Sequence, residues 1–286
     1  MFSFGSIEVK ELGLPPKYKS IVQWKNKNNS CWLDTLLTII VFSVNIRAAI
    51  NRNMQELALF NRLSTLYDQC QKRHSDTSTA DTNVVVEHDI YNQLDFARSY
   101  VLNQLRQKLP SLSPGDHESC FEMFSNILKL GPLSKLFSVT LRWEFECDEC
   151  QYKKARRVTT EITSFPSTTP DFHPLNASFH RSCFTCSAQN QLMTMVMERI
   201  PPCLMLHFEQ GLPHNRFKVL DFGIQGHLYS VTAAVQYINK PFNHFIVWIR
   251  DCKANKWLCC DDLNPVSSWQ SRPPKIPPGE IHMVLW

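Results

Sequence analysis

The sequence lacks any segment that could cross a bilayer. Its longest apolar stretch, Leu36 to Val44, is far shorter than the run of about 20 residues that a membrane helix needs. The N-terminus, Met1 to Lys10, has no basic region followed by an apolar core, so it does not read as a secretory signal peptide. These two absences predict a soluble, intracellular protein without a membrane partner.

Strong charge of either sign is also missing. The 286 residues contain 30 lysines and arginines against 26 acidic residues, a net charge of +4, and the basic residues form no dense cluster. Because nucleic-acid binding needs a concentrated basic stripe, we expect no nucleic-acid partner. No internal repeat is visible, and 43% hydrophobic residues are enough for a folded protein of one large or two modest domains.

What the sequence does contain is cysteine, in a pattern that is unlike a disulfide scaffold. The eleven cysteines are an odd number, and four of them form two Cys-x-x-Cys pairs, Cys147 with Cys150 and Cys183 with Cys186. Two such turns place four thiolates around a tetrahedral structural zinc ion, with no position open for a catalytic water. Unliganded core cysteines are the alternative. The spacing predicts one zinc ion, with a hairpin or extended finger between the pairs.

The hydrophobic periodicity changes near the middle of the chain. Leu94, Ala97, Val101 and Leu105 recur at helical spacing, as do other apolar residues before residue 136. From Phe137 onward, apolar and polar residues alternate as they do in strands. The sequence therefore predicts an α+β fold in which helices come first and an antiparallel sheet follows.

Cys31 lies where a polar, asparagine-rich loop meets the apolar run Trp32 to Phe42. The junction indicates the N-terminus of a buried helix, whose partial positive charge favours the nucleophilic thiolate. Free cysteine is also a common core residue, so its position alone does not identify a nucleophile. A catalytic role requires partners elsewhere in the chain.

Those partners are present downstream. His244 begins one predicted strand and Asp261 ends the next, so a hairpin would bring a carboxylate beside the imidazole. A thiol, a base and an orienting carboxylate perform nucleophilic acyl transfer, and Asn26 could donate a hydrogen bond to the developing oxyanion. Asp262, next to Asp261, remains the other candidate for the carboxylate, and satisfied core residues remain the alternative for the whole set.

The segment Asn26 to Leu37 resembles the cysteine box of the ubiquitin-specific proteases, and the resemblance continues in family order over nearly the whole chain. It is carried by Phe137 to Cys150, Cys183 to Cys186, Ile200 to Phe208, Tyr229 to Tyr237, and the boxes around His244 and Asp261. The resemblance implies a papain-like cysteine protease fold with thumb, palm and fingers. It implies an N-terminal extension over residues 1–20 and a catalytic domain over 21–286, divided into a helical thumb, 21–135, and fingers with palm, 136–286.

By the same resemblance Cys31 would be the nucleophile, His244 the base, Asp261 the orienting carboxylate and Asn26 the oxyanion donor. Cys147, Cys150, Cys183 and Cys186 would hold one zinc ion in a ribbon at the fingertips, over residues 147–186.

The chain also departs from the ubiquitin-directed pattern. It has Asn28 and Asn243 where those members usually have glycine, and Glu209 to Pro213 in place of a basic-aromatic ending. These departures resemble a divergent branch that acts on SUMO. They imply a monomeric SUMO isopeptidase with SUMO and SUMO-conjugated proteins as partners, in the nucleus at Cajal bodies. A ubiquitin-directed deubiquitinase and a non-catalytic SUMO-binding scaffold are the alternatives.

Overall fold

The computed structural model describes residues 20–77, 83–113, 115–214, 221–224 and 226–286. Apart from Ser20, the proposed N-terminal extension, residues 1–20, lies outside the described residues. The proposed division into thumb, fingers and palm stays a prediction.

The first half of the chain is helical, as its periodicity predicts. One two-residue strand, β1 (Ile21–Val22), precedes the helices and is too short to show a period. All twelve residues of the first helix are buried, including its three polar residues, Asp34, Thr35 and Thr38. The helices are α1 (Cys31–Phe42), α2 (Val44–Arg52), α3 (Ala58–Thr77), α4 (Asn83–Lys108), α5 (Cys120–Leu128) and α6 (Ser134–Phe137).

Helix α5 begins at Cys120, because Ser119 caps it. The Ser119 hydroxyl accepts a hydrogen bond from the Glu122 backbone N–H at 3.4 Å. Glu122 also places an acidic side chain in the first turn, where the helix dipole favours it. This cap fixes where α5 meets the start of α1.

The second half forms strands, as predicted. Seven of them make one sheet in the order β14-β12-β11-β10-β15-β7-β4, and four make another in the order β3-β2-β6-β5. The strands are β2 (Val139–Glu146), β3 (Lys153–Thr160), β4 (Ile162–Phe165), β5 (Ser178–Arg181), β6 (Gln191–Arg199), β7 (Met205–Phe208), β8 (Phe222–Ile224), β9 (His227–Tyr229), β10 (Ala233–Ile238), β11 (His244–Asp251), β12 (Lys256–Cys260), β13 (Val266–Ser267), β14 (Trp269–Gln270) and β15 (Ile281–Leu285).

Among the described strands the pairing is antiparallel with one exception. β4 and β7 run parallel, with Ile162 opposite Met205. A parallel pair needs a long crossover, and here the chain between the two strands builds β5 and β6 of the four-stranded sheet before it returns. The prediction of an antiparallel sheet is therefore wrong for this pair alone.

The largest hydrophobic core lies between the helices and one face of the seven-stranded sheet. Leu36, Leu37 and Ile40 of α1 belong to it together with Phe245 and Val247 of β11. A second core covers the other face of that sheet, and a small third core surrounds Cys147 and Cys183. Packing of α1 on β11 sets the start of the helix beside the start of the strand.

Among the described residues no single helix has the length and apolar character of a membrane span. Helices α1 and α2, which meet at 70°, meet these criteria only when they are taken together as a bent pair.

Candidate active site

Cys31 is the first residue of α1 and is 2% exposed. The Ser30 carbonyl oxygen accepts the backbone N–H groups of Leu33 and Asp34 at 2.8 and 2.9 Å, which starts the helix at this point. The remaining N–H groups of the first turn give the helix start a partial positive charge. The predicted thiol at a helix N-terminus is thus present.

His244 and Asp261 meet across the hairpin of β11 and β12. The two strands pair with Val247 opposite Cys260, so the residues that follow β12 lie beside the start of β11 at His244. His244 Nε2 lies 2.8 Å from Asp261 Oδ1. The structure therefore brings this predicted pair into direct contact, and the Cys31 thiol lies close enough to the same imidazole to raise its pKa.

The two adjacent aspartates, Asp261 and Asp262, differ in their contacts with His244. Asp261 is fixed by the Leu263 backbone N–H at 3.1 Å and the Asn264 amide at 2.6 Å, in addition to His244. Asp262 Oδ1 is 3.7 Å from His244 Nε2, and neither of its carboxylate oxygens makes a regular hydrogen bond to the described residues. Asp261 is the hydrogen-bonding partner of the imidazole, and Asp262 is a second carboxylate near it.

The surroundings of His244 favour its charged form. Burial lowers the pKa of this histidine, but the hydrogen bonds to Asp261 and Cys31 and the charge of Asp262 outweigh that effect and raise the pKa to about 10. Burial raises the pKa of Asp261, and its bond to His244 together with bonds from Asn264 and Leu263 lowers it overall. The site is thus set up as a carboxylate–imidazolium pair with a thiol beside it.

Asn26 lies at the junction between the loop before Cys31 and the hairpin. Its backbone N–H donates to the Asp262 carbonyl oxygen at 2.9 Å. Its side chain favours the charged form of the Asp262 carboxylate, although burial keeps the pKa of that group raised. The predicted oxyanion donor is therefore tied to the segment that carries the imidazole's partner.

The four cysteines of the two Cys-x-x-Cys pairs converge, with all sulfur atoms within 4.8 Å of one another. The closest distances join Cys147 to Cys186, 3.6 Å, and Cys150 to Cys183, 3.8 Å. After each pair, one residue adopts a positive φ, Gln151 at 57° and Ser187 at 61°, which closes the two turns toward each other. Four soft sulfur ligands in a compact, closed set match what Zn²⁺ prefers.

Sequence reasoning missed Arg98, a buried cation at the start of α1. It lies on α4, its side chain is 6% exposed, and it forms an ion pair with Asp34 at 2.7 Å. The signal was available: Arg98 interrupts the apolar stripe of α4 between Leu94 and Val101, where a buried charge needs partners.

Comparison with known proteins identifies the class and then the family. The architecture is that of solved ubiquitin-specific proteases. Over 93% of this chain and 68% of the other, it resembles the SAGA DUB module of Ubp8, Sgf11, Sus1 and Sgf73 bound to monoubiquitin, with a TM-score of 0.55 and 12% identity. The corresponding module bound to ubiquitin aldehyde gives a TM-score of 0.56 at 12% identity, over 96% and 70% of the two chains. The fold is a papain-like cysteine protease fold of the ubiquitin-specific protease type, and the predicted fold class is confirmed.

A family model described as "Ubiquitin-specific peptidase-like, SUMO isopeptidase" matches residues 21–286. The chain belongs to this family. It is 34% identical over 279 residues to the human SUMO-specific isopeptidase USPL1, covering 93% of this chain and 25% of the relative. The mouse protein of the same name is 32% identical over 292 residues, covering 96% and 26%. The chain thus spans about a quarter of the length of the curated relatives it matches.

Proposed function

We propose that this chain is a SUMO-specific cysteine isopeptidase that cleaves the bond after the C-terminal glycine of SUMO, on lysine conjugates and, as a second reaction, on the SUMO precursor. The observation that carries the proposal is the imidazole of His244, which is bonded to Asp261 at 2.8 Å and lies close enough to the thiol of Cys31, at the start of α1, for that thiol to raise its pKa. The printed names of the relatives supply the substrate class.

The geometry supports the following reaction. The thiolate of Cys31 attacks the carbonyl carbon of the isopeptide bond, and the amide of Asn26 stabilises the resulting oxyanion. The imidazolium of His244 then gives its proton to the leaving lysine amine, and a thioester on Cys31 remains. Water, deprotonated by His244, attacks the thioester and releases the SUMO carboxylate and the free thiol. Asp261 holds the imidazole in orientation throughout.

Ubiquitin is the competing substrate, because two of the solved structures that share the fold contain ubiquitin or ubiquitin aldehyde. Vinyl-sulfone probes of SUMO and ubiquitin distinguish the two. We expect the SUMO probe to label Cys31, shown by a mass shift on that peptide. Labelling by the ubiquitin probe alone would refute the SUMO assignment, and labelling by neither would favour a SUMO-binding scaffold. The nuclear, Cajal-body location belongs to this proposal and is tested by imaging the tagged full-length protein.

Within the same proposal, Cys147, Cys150, Cys183 and Cys186 hold one structural zinc ion. Because all four ligands come from the protein, the metal stabilises the ribbon and takes no part in the reaction.

Removing the metal should therefore lower the stability of the protein without stopping peptide hydrolysis. We expect purified protein to contain about one zinc per chain, and Cys183→Ser to lose it and to lower the midpoint of thermal unfolding. A SUMO-derived C-terminal peptide, which does not need the fingers, should still be hydrolysed. Cys252→Ser, at an exposed cysteine outside the cluster, is the matched control and should keep its zinc. Loss of peptide hydrolysis in proportion to zinc would contradict a structural role.

A further inference from the structure

One buried guanidinium connects both ends of the loop that precedes Cys31. Arg98 Nη1 lies 2.9 Å from the Lys25 carbonyl oxygen and 2.7 Å from both Ser30 Oγ and Asp34 Oδ2. Its Nη2 bonds to Asp95, one turn earlier on α4. Arginine suits this place because its planar fork offers several donors to acceptors in different directions.

The acceptors of Arg98 lie next to the two residues to which we assign the oxyanion donor and the nucleophile. Lys25 is the residue before Asn26, Ser30 is the residue before Cys31, and Asp34 lies in the first turn of α1. The oxyanion donor and the nucleophile therefore each follow directly after a residue that Arg98 holds. No other cation in the described helices contacts both ends of this loop.

Support at both ends matters for this loop, because its backbone enters the left-handed region. Asn28 and Asn29 have φ values of 54° and 58°, a conformation that residues other than glycine adopt rarely, asparagine being the most tolerant of them. Inside the loop, Lys27 N–H donates to Ser30 Oγ at 3.0 Å, and the Asn29 amide donates to the Gly115 carbonyl oxygen at 3.0 Å. The Lys27–Ser30 bond, the Asn29–Gly115 bond and the guanidinium of Arg98 thus hold Asn28 and Asn29 in this conformation.

The same network extends to the catalytic hairpin. Asp34 and Asp262 line one small cavity beside Phe245, and each has a buried carboxylate oxygen without a regular partner among the described residues. Asn26 N–H in turn donates to the Asp262 carbonyl oxygen at 2.9 Å. Arg98, the loop and the hairpin therefore form one connected unit.

We propose that Arg98 is a positioning residue for the isopeptidase reaction: it sets the placement of the Asn26 amide relative to the Cys31 thiol. The inference rests on the proposed roles of those two residues. Because it acts on the geometry of the reacting groups, Arg98 contributes to kcat and leaves the binding of SUMO unchanged.

The test is Arg98→Lys, assayed with a fluorogenic SUMO substrate. Lysine keeps a positive charge beside Asp34, but its single nitrogen cannot bond both the Nη1 acceptors and Asp95, which Arg98 holds with Nη2. We expect kcat to fall by about 10- to 100-fold, since a misplacement of about 1 Å has an effect of this size. KM should stay within about 2-fold of the wild type, because in this reading no ground-state binding is lost.

A double-mutant cycle with Asn26→Ala distinguishes positioning from general support of the fold. Asn26→Ala alone should reduce kcat by about 10²- to 10³-fold, as removal of an oxyanion donor does. If Arg98 acts through Asn26, adding Arg98→Lys to this variant should reduce kcat by about 3-fold or less. A purely structural role predicts that the two losses multiply.

Two further variants serve as a control for Arg98→Lys and as an alternative to it. Arg47→Lys alters another partly buried ion pair of the helical region, with Asp68, and should leave kcat at the wild-type value. Ser30→Ala removes one Arg98 contact and keeps the Arg98–Asp34 pair, so it provides a second reading if Arg98→Lys fails to fold. Ser30 Oγ also accepts from Lys27 N–H at 3.0 Å and donates to Asp34 Oδ2 at 2.7 Å, so the variant should reduce kcat by about 10- to 100-fold at unchanged KM, as loss of several hydrogen bonds implies.

Wild-type kcat in both variants, an increase in KM at constant kcat, or multiplicative losses in the cycle would each overturn the inference. Failure of the wild-type protein to cleave the SUMO substrate would overturn the proposed function instead. The Arg98 ratios would then be measured with the ubiquitin substrate, because they concern the loop and not the modifier.

Discussion

Cys31→Ala is expected to lower turnover of a SUMO substrate by about 10⁴-fold or more, because the variant lacks the thiol that forms the thioester. Binding of uncleaved SUMO should remain, since alanine at the first position of α1 disturbs neither the helix nor the hairpin. Turnover is measured with a fluorogenic substrate, and binding by calorimetry with the intact modifier.

Cys120→Ala is the matched control for this prediction. Cys120 begins α5, is fully buried, and its thiol donates to the Trp32 carbonyl oxygen at 3.4 Å, so it lies next to the proposed nucleophile. A buried thiol of this kind behaves as a small hydrophobic group, and its removal should leave turnover within about 3-fold. Cleavage by Cys31→Ala, or inactivation by Cys120→Ala, would mean that the nucleophile is wrongly assigned.

Asp261→Ala is expected to have the second largest effect, with turnover falling by about 10³-fold as the imidazole loses its orienting partner. Its pH dependence should also change. The pKa of His244, about 10 in the native site, should fall toward the ordinary value when the 2.8 Å hydrogen bond is removed. The imidazolium is then lost at lower pH, so the basic limb of the pH–rate profile moves to lower pH.

The same shift affects stability in a defined pH window. Because folding raises the pKa of His244 from 6.5 to about 10, the group stabilises the wild-type fold fully below pH 6.5, and this contribution disappears as the pH rises through about 10. In Asp261→Ala the free energy of unfolding should decrease less over this pH range. Denaturant unfolding at a series of pH values measures the difference.

Asp262→Asn is the control for both measurements. It removes a charge 3.7 Å from the imidazole and keeps the shorter bond to Asp261. We expect it to move the basic limb less than Asp261→Ala does. A larger shift in Asp262→Asn would assign the orienting role to Asp262.

Local features of the sequence predicted several of the arrangements that the structure shows at the candidate site. The change from a polar loop to a predominantly apolar run marks the start of α1 at Cys31, because a helix with so few polar residues is buried along its whole length. The spacing of His244 and Asp261 fits one hairpin, whose register follows from alternation along β11 and β12. The two Cys-x-x-Cys pairs converge because each forms its own tight turn.

Other features could not be predicted from local patterns. The parallel pairing of β4 with β7 depends on where the chain returns after building the four-stranded sheet. The contacts of Arg98 with Ser30 and Asp34 join residues more than 60 positions apart, and no local periodicity predicts them. The choice between Asp261 and Asp262 depends on which carboxylate turns toward the imidazole at the end of β12.

The sequence by itself therefore determined the kinds of groups that this protein brings together: a thiol at a helix start, a histidine and an aspartate on one hairpin, and four cysteines in two turns. Each of these is set by the period of a helix or strand, or by the geometry of a short turn, within a few residues. Only the tertiary structure decided how these groups are held, through packing of α1 on β11 and the buried Arg98 between α4 and the Lys25–Cys31 loop. Packing and buried charge act between distant segments, so their outcome is fixed only when the whole chain has folded.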